Sequence, residues 1–196
     1  DFDNLVSRIC VATRFFDMPT LESLGIREML VDLLRASGFG DVWEKAYPTY
    51  PLLTCEFLAS VYWLVQPSPG EVQDPLFGFR MRMKHHTMTL HQLREVLKIT
   101  KPPTVDALFT LDKSKETDLF RTVTGDLSIS GNDKSYMLVH PALRLLHYCL
   151  NFGYLGQGEL TKLPNNSINY LWCLNENNET LDWAAIFVHA CRGMRP

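Results

Sequence analysis

A β-hairpin predicted near residues 77–89 constrains the fold of this chain more than any other feature of the sequence. Phe79, Met81 and Met83 alternate with basic residues, and a period of two is typical of a strand that buries one face. The segment Lys84-His85-His86 is predicted to form the turn, with a short return strand directly after it.

A helix is predicted to follow the hairpin without a break. Thr89 offers a hydroxyl at the N-cap position and Gln92 an amide three residues later, which together fit a capping box. The helix should end before Lys101-Pro102-Pro103, because proline does not continue a helix. Its apolar face consists of Leu90, Leu93, Val96 and Leu97. Hairpin and helix therefore form one compact unit.

The rest of the chain reads as mainly helical. Residues 26–34 carry apolar side chains at helical spacing, and Gly38 provides a stop. Residues 51–65 are apolar on nearly every side, which is typical of a helix in the centre of a core. Three further helices are predicted, one starting at Pro141, one over residues 168–174 and one capped by Thr180.

We therefore expect a mainly α fold, a multi-helix orthogonal bundle with the small β-hairpin inserted near residues 77–89. At 196 residues and 46% hydrophobic, the chain can bury a core without disulfides or metals. One domain over residues 1–196 is the simplest organisation. A soft sub-boundary near residues 125–135, where the helical pattern weakens, is the alternative.

The cysteines indicate an intracellular protein, in the nucleus or the cytoplasm. There are five of them, scattered among apolar neighbours, which is typical of reduced, buried thiols. No apolar run approaches the roughly 20 residues that a membrane-spanning helix needs. The glycosylation sequons at Asn165 and Asn178 are interpreted as chance matches in an asparagine-rich stretch.

Two His-x-Cys pairs, His147 with Cys149 and His189 with Cys191, invite a zinc interpretation. Both pairs fall in predicted helices, where residues two apart point in nearly opposite directions. A helix presents two ligands to one metal at a spacing of three or four. We therefore expect these side chains to pack in the core, and we expect no metal and no cofactor.

The sequence offers no positive evidence for an enzyme. It lacks a Gly-x-Ser-x-Gly motif, a P-loop and a glycine fingerprint after a strand. The glycines at 153, 156 and 158 follow a predicted helix, where they serve as a C-cap and loop. We therefore expect catalytic residues to be absent, with a degenerate enzyme as the weaker alternative.

The hairpin region is the one local concentration of positive charge. Residues 71–101 carry a net charge of +3, in a chain whose formal net charge is −3. Arg80, Arg82 and Lys84 are predicted to share one strand face, a stripe suited to phosphate contacts. The competing interpretation is a solvated sheet face or an edge that charge protects against aggregation. The candidate contact residues for nucleic acid or a protein partner are Arg80, Arg82, Lys84, His85, His86 and Lys98.

Several segments of the sequence resemble one known family, and they occur in the same order as in that family. They are Thr13-Arg14-Phe15-Phe16-Asp17 with Thr20-Leu21-Glu22-Ser23-Leu24-Gly25, then Tyr47-Pro48-Thr49-Tyr50-Pro51, then the hairpin-helix unit, and finally His140-Pro141-Ala142-Leu143-Arg144. Together they resemble the first-open-reading-frame proteins of Athila-type plant retrotransposons. The hairpin-helix unit is also similar to that of the plant mobile domain. Ile99-Thr100-Lys101-Pro102 departs from the family, which commonly turns there through a glycine-containing motif.

The resemblance implies a retroelement structural or accessory protein, or a host protein derived from one, and it supplies no catalytic residues. The leading hypothesis is a non-enzymatic protein-interaction or assembly domain that associates with itself as gag-like proteins do, or with a protein partner. The alternative is a nucleic-acid-binding domain that uses the basic hairpin face. No membrane and no small-molecule substrate is expected.

Overall fold

The computed structural model describes residues 2–7, 16–36, 38, 48–66, 74–104, 118, 121–122, 124, 138–151, 170–171 and 180–194. These residues form seven helices and three strands. In chain order the elements are α1 (Phe2–Val6), α2 (Met18–Ser23), α3 (Arg27–Ala36), α4 (Pro51–Ser60), β1 (Tyr62–Val65), β2 (Leu76–Met81), β3 (Lys84–Thr89), α5 (Leu90–Val96), α6 (Pro141–Cys149) and α7 (Trp183–Gly193).

The three strands form one antiparallel sheet in the order β1-β2-β3. A third strand beside the hairpin makes the fold a mixed α/β fold, so the expected helical bundle with only a hairpin is wrong. In β2, Phe77, Phe79 and Met81 face the core, and Met88, the partner of Phe77 on β3, packs against the same core. Gly78 and Arg80 lie on the opposite face of the sheet.

The additional strand comes from the second half of the apolar stretch 51–65. The prediction of one helix across that stretch is wrong beyond Ser60, where the backbone becomes extended at Val61. Residues 61–65 are β-branched, aromatic or leucine, and such residues favour a strand when a partner strand is available. Tyr62 lies opposite Gly78 and Trp63 opposite Phe77, while an irregularity between Trp63 and Val65 leaves Leu64 as an extra residue.

The hairpin turn lies two residues earlier than predicted. Met81 is paired with Lys84, so Arg82 and Met83 alone connect the strands. Their φ angles are 51° and 62°, the left-handed conformation that a two-residue type I′ turn requires. The predicted turn residues Lys84, His85 and His86 are therefore part of β3. Alternation failed to locate the turn because Arg82 and Met83 continue the period of two, although neither residue is paired.

Aromatic side chains fill the space between the sheet and two helices. The ring of Phe79 lies 5.8 Å from that of Phe77 and 5.2 Å from that of Phe57 on α4. Phe57 in turn stacks 6.4 Å from Phe187 on α7. The core continues through further buried side chains on the other helices, including Leu30, Leu34, Leu90, Leu93, Ala142, Leu143, Leu146, Trp183 and Ile186.

Helix α5 begins and ends with defined caps. The predicted capping box is confirmed, since the Gln92 N–H donates to the Thr89 hydroxyl and the Gln92 side chain accepts from the Thr89 N–H. At the other end Lys98 adopts a φ of 54°. The Lys98 and Ile99 N–H groups donate to the carbonyls of Glu95 and Arg94, which is the Schellman pattern. Lysine thus holds a position that glycine usually occupies.

A charged contact joins α5 to α7. The Arg94 guanidinium lies 2.6 Å from a carboxylate oxygen of Asp182, and their side chains are only 20% and 11% exposed. The other oxygen of Asp182 accepts the Ala185 N–H and caps α7. The predicted cap at Thr180 is therefore wrong by two residues. The Thr180 N–H instead donates to the Thr104 hydroxyl oxygen.

Two other helix predictions are confirmed. The apolar repeat at residues 26–34 forms α3, and Gly38 follows it with a φ of 80°. The helix predicted from Pro141 is α6, with proline in its first turn. The predicted boundary near residues 125–135, the glycines at 153–158, both sequon asparagines, and most of the helix at 168–174 lie outside the described residues.

Lys98→Gly is expected to stabilise the chain by about 0.5–1 kcal/mol, because glycine adopts a positive φ without a Cβ clash. Urea denaturation measures the change. Lys98→Ala is the matched control, since alanine removes the charge and keeps the Cβ. An equal gain from alanine would attribute the effect to charge and contradict the backbone explanation.

A candidate interaction surface on the hairpin

The basic residues of the hairpin point in different directions. Arg80 lies opposite His85 on the outer face of the sheet, whereas Lys84 lies opposite Met81 on the other face. Arg82 belongs to the turn. The prediction that Arg80, Arg82 and Lys84 share one strand face is therefore wrong, because two of them lie beyond the end of the regular alternation in β2.

The exposed group at the end of the hairpin is Arg82, Met83 and Lys84, which we name the hairpin tip. All three residues are exposed, and Met83 is 76% exposed. In the described part of the chain neither Arg82 nor Lys84 forms an ion pair. The hairpin tip thus places one flexible apolar side chain between two cations.

Helix α4 fixes the backbone of the hairpin tip. The N–H groups of Arg82 and Met83 each donate to a different carboxylate oxygen of Glu56, both at 2.7 Å. One turn further along α4, the Ser60 hydroxyl oxygen accepts the Arg80 N–H at 2.7 Å. Hydrogen bonds to a charged acceptor are the stronger kind. The turn is therefore held by α4 as well as by its own strands.

Sequence reasoning missed Glu56 and Ser60. Their spacing of four does place them on one face of a helix. Nothing in the sequence, however, indicates that this face meets the hairpin turn. The contact between α4 and the hairpin turn depends on the pairing of β1 with β2. A continuous helix over residues 51–65, as predicted, contains no β1 and so does not bring α4 to the turn.

The histidines of the hairpin lie on β3. His86 stacks on Phe79 with ring centroids 5.5 Å apart, and its imidazole therefore partly covers the core. His85 is exposed beside Arg80 on the outer face. The two side chains point to opposite faces of the sheet, so they cannot act together on one ligand.

Two of the three remaining cations of this region have structural contacts. Arg94 binds Asp182, and the Lys101 ammonium donates to the Ala36 carbonyl at 2.7 Å, at the end of α3. Lys98 is exposed at the end of α5. The positive charge available for a ligand is therefore smaller than the sequence count of residues 71–101 suggests.

The two His-x-Cys pairs lie within α6 and α7, as predicted. His147 is buried and contacts the side-chain amide of Asn151, and His189 lies against Trp63 with ring centroids 5.4 Å apart. Burial raises the pKa of Cys149 and of Cys191 to about 12. Burial, and then the charge of Arg192, lowers the pKa of His189. Both thiols are thus held in the protonated form at neutral pH.

Among the described residues no three side chains of histidine, cysteine, aspartate or glutamate are grouped so that they could bind a metal ion. Within the same residues, no helix combines the length and the apolar character that crossing a bilayer requires.

The model of the ATHILA ORF-1 family matches residues 5–166. No curated protein and no solved structure matches the chain. The match covers most of the 196 residues, so the chain belongs to the ATHILA ORF-1 family, and the resemblance in the ordered sequence blocks is confirmed. It is a retrotransposon-associated protein of a plant transposable-element family.

Glu56→Ala is expected to release the hairpin turn. Loss of the acceptor for two N–H groups should cost about 1–3 kcal/mol locally and raise hydrogen-exchange rates at Arg82 and Met83 by roughly 10- to 100-fold. Amide exchange read by NMR checks this. Glu28→Ala, at an exposed position of α3, should leave both amides unchanged. Unaltered exchange in Glu56→Ala would show that the strands alone hold the turn.

Proposed function

We propose that this chain is a non-enzymatic interaction and assembly domain of the retrotransposon protein, and that the hairpin tip is a contact for another protein chain. The observation that carries the proposal is the exposed Met83 between Arg82 and Lys84 on a backbone that Glu56 holds in place. A preformed contact loses little conformational entropy on binding.

The chemistry of the hairpin tip defines the surface that it fits. Methionine adapts its shape to apolar surfaces, and the two cations favour carboxylates around them. The chain itself carries an excess of carboxylates outside the hairpin region. Its formal net charge is −3 and that of residues 71–101 is +3, so the remaining residues carry a net charge of −6. Attraction between the hairpin tip of one copy and the acidic remainder of another therefore supports self-association.

Light scattering over a concentration series at low salt should show a mass that rises above that of one chain. Replacing Arg82-Met83 by Asn-Gly should weaken this association, since it removes both side chains and suits the type I′ turn. The matched control removes an arginine and a methionine from α3, with Arg35→Ser and Met29→Ser, and should associate like the wild type. A wild-type chain that stays monomeric would contradict self-assembly.

Nucleic-acid binding is the second candidate. The supporting observation is that, within the described residues, Arg82 and Lys84 form no ion pair, so both can reach phosphates. If three cations contact phosphates of a single strand, raising the salt concentration from 50 to 200 mM should lower the affinity by about 20-fold. The dispersed directions of Arg80, Arg82 and Lys84 suit a folded or bent ligand better than a straight backbone.

Fluorescence anisotropy with single-stranded RNA tests this candidate at several salt concentrations. Reversing Arg80, Arg82 and Lys84 to glutamate should abolish binding. The matched control reverses three exposed arginines elsewhere, Arg27, Arg35 and Arg121, and should retain it. Binding that persists after the charge reversal of the three hairpin residues, or an affinity that does not change with salt concentration, would exclude this role for the hairpin.

A further inference from the structure

The two edges of the sheet differ in their protection against pairing. The edge strand β3 exposes Lys84, His85 and His86, and charged or ionisable side chains on an edge discourage the addition of another strand. The other edge strand, β1, is Tyr62-Trp63-Leu64-Val65 and contains no ionisable side chain apart from the tyrosine phenol. Within the described residues no strand pairs with the outer side of β1.

Hydrogen-bond geometry shows which backbone groups of β1 point outward. The Arg80 N–H points to Ser60, on the β1 side of β2. Gly78 lies two residues earlier in β2, so its backbone N–H and C=O also point towards β1. Its partner Tyr62 therefore directs its own N–H and C=O towards β2. The N–H and C=O of Trp63 therefore point away from the sheet, where they can form hydrogen bonds with the backbone of another strand.

The side chains beside this open edge are apolar and exposed. Tyr62 is 38% exposed and Leu64 is 46% exposed. The Tyr62 ring reaches over Gly78 on β2, where an added Cβ would come within 2.7 Å of a ring atom. The position of the Tyr62 side chain on the outer face of the sheet is thereby defined. An uncharged edge flanked by two large apolar groups is unusual for a surface that remains in water.

We infer that β1 pairs with β1 of a second copy of this chain, antiparallel about a two-fold axis at Trp63, and forms a continuous six-stranded sheet. This inference rests on the self-association in the proposed function and names its surface. In this register Trp63 of one copy lies opposite Trp63 of the other. The outward N–H of each Trp63 donates to the outward C=O of the other. Tyr62 of each copy then lies opposite Leu64 of the other, an aromatic–aliphatic cross-strand pair.

The same geometry limits the assembly at this edge to two copies. After β1 has paired, the outer edges of the joined sheet are both β3, with Lys84, His85 and His86 exposed. Pairing of β1 with β3 of a neighbour would instead continue without end, and the charge on β3 opposes it. The irregularity at Leu64 keeps the paired segment short. A closed dimer is the result.

Light scattering and sedimentation of the whole 196-residue chain at about 0.5 M salt test this contact, because a Debye length of roughly 4 Å suppresses the electrostatic hairpin-tip contact. The wild type should reach a mass of two chains and no more. Leu64→Lys should raise the dimer dissociation constant by at least about 10-fold. Val96→Lys, at a 65% exposed position of α5, is the matched control and should dimerise like the wild type.

Site-directed crosslinking tests the register. A mixture of Tyr62→Cys and Leu64→Cys chains should form a disulfide between the two introduced cysteines under mild oxidation, as mapped by mass spectrometry. Each variant alone should crosslink far less, because Tyr62 faces Leu64 of the other copy. Circular dichroism of every variant verifies that it is folded.

The outcomes separate the two proposals. A wild type that stays monomeric at every salt concentration overturns both self-association and the β1 contact. Association that persists unchanged in Leu64→Lys, or a mixture that crosslinks no better than the single variants, overturns the β1 contact alone. A mass that grows past two chains at high salt overturns the closed dimer. A dimer lost in Leu64→Lys and kept in Val96→Lys supports it.

Discussion

The contact between Arg94 and Asp182 is the interaction on which the arrangement of the fold depends. It joins residues 88 positions apart in the chain, and it does so at the junction of the hairpin-helix unit with α7. Asp182 is also the cap of α7, so one carboxylate fixes both the start of that helix and its position beside α5. A partly buried carboxylate that lost this partner would remain desolvated and unpaired. The aromatic contacts of Phe187 and Trp63 with neighbouring elements follow from the placement of α7.

Local signals in the sequence were sufficient for several features that depend on neighbouring residues. The capping box at Thr89, the helix from Pro141 and the stop at Gly38 all involve residues within a few positions of one another. The strand β1 could not be recognised in this way, because Val61 to Val65 fits either a buried helix or a strand. Its partner β2 decides between them. The direction of Arg80 and Lys84 likewise depended on the position of the turn, which alternation alone did not reveal.

The sequence directed attention to the hairpin, but it did not show how the hairpin is held in the fold. Of the residues identified there, Arg80, Arg82, Lys84, His85 and His86 lie at or beside the hairpin tip, and Lys98 lies at the end of α5. Charge alone did not show that Arg94 and Lys101 are engaged within the fold, or that Glu56 and Ser60 hold the hairpin from α4. The sheet thereby has two different surfaces, a basic tip and an uncharged edge, and each suits a different kind of contact.

The bonds from Glu56 to the turn have a consequence for how this protein can change over evolutionary time. They hold the backbone of residues 82 and 83, and they make no demand on the side chains there. Most proteins restrict such turns to asparagine and glycine, which have little to offer a partner. Here the helix supports the turn, so selection can vary the two side chains between related elements. Recognition can then diverge from one element to another while the domain that displays it stays the same.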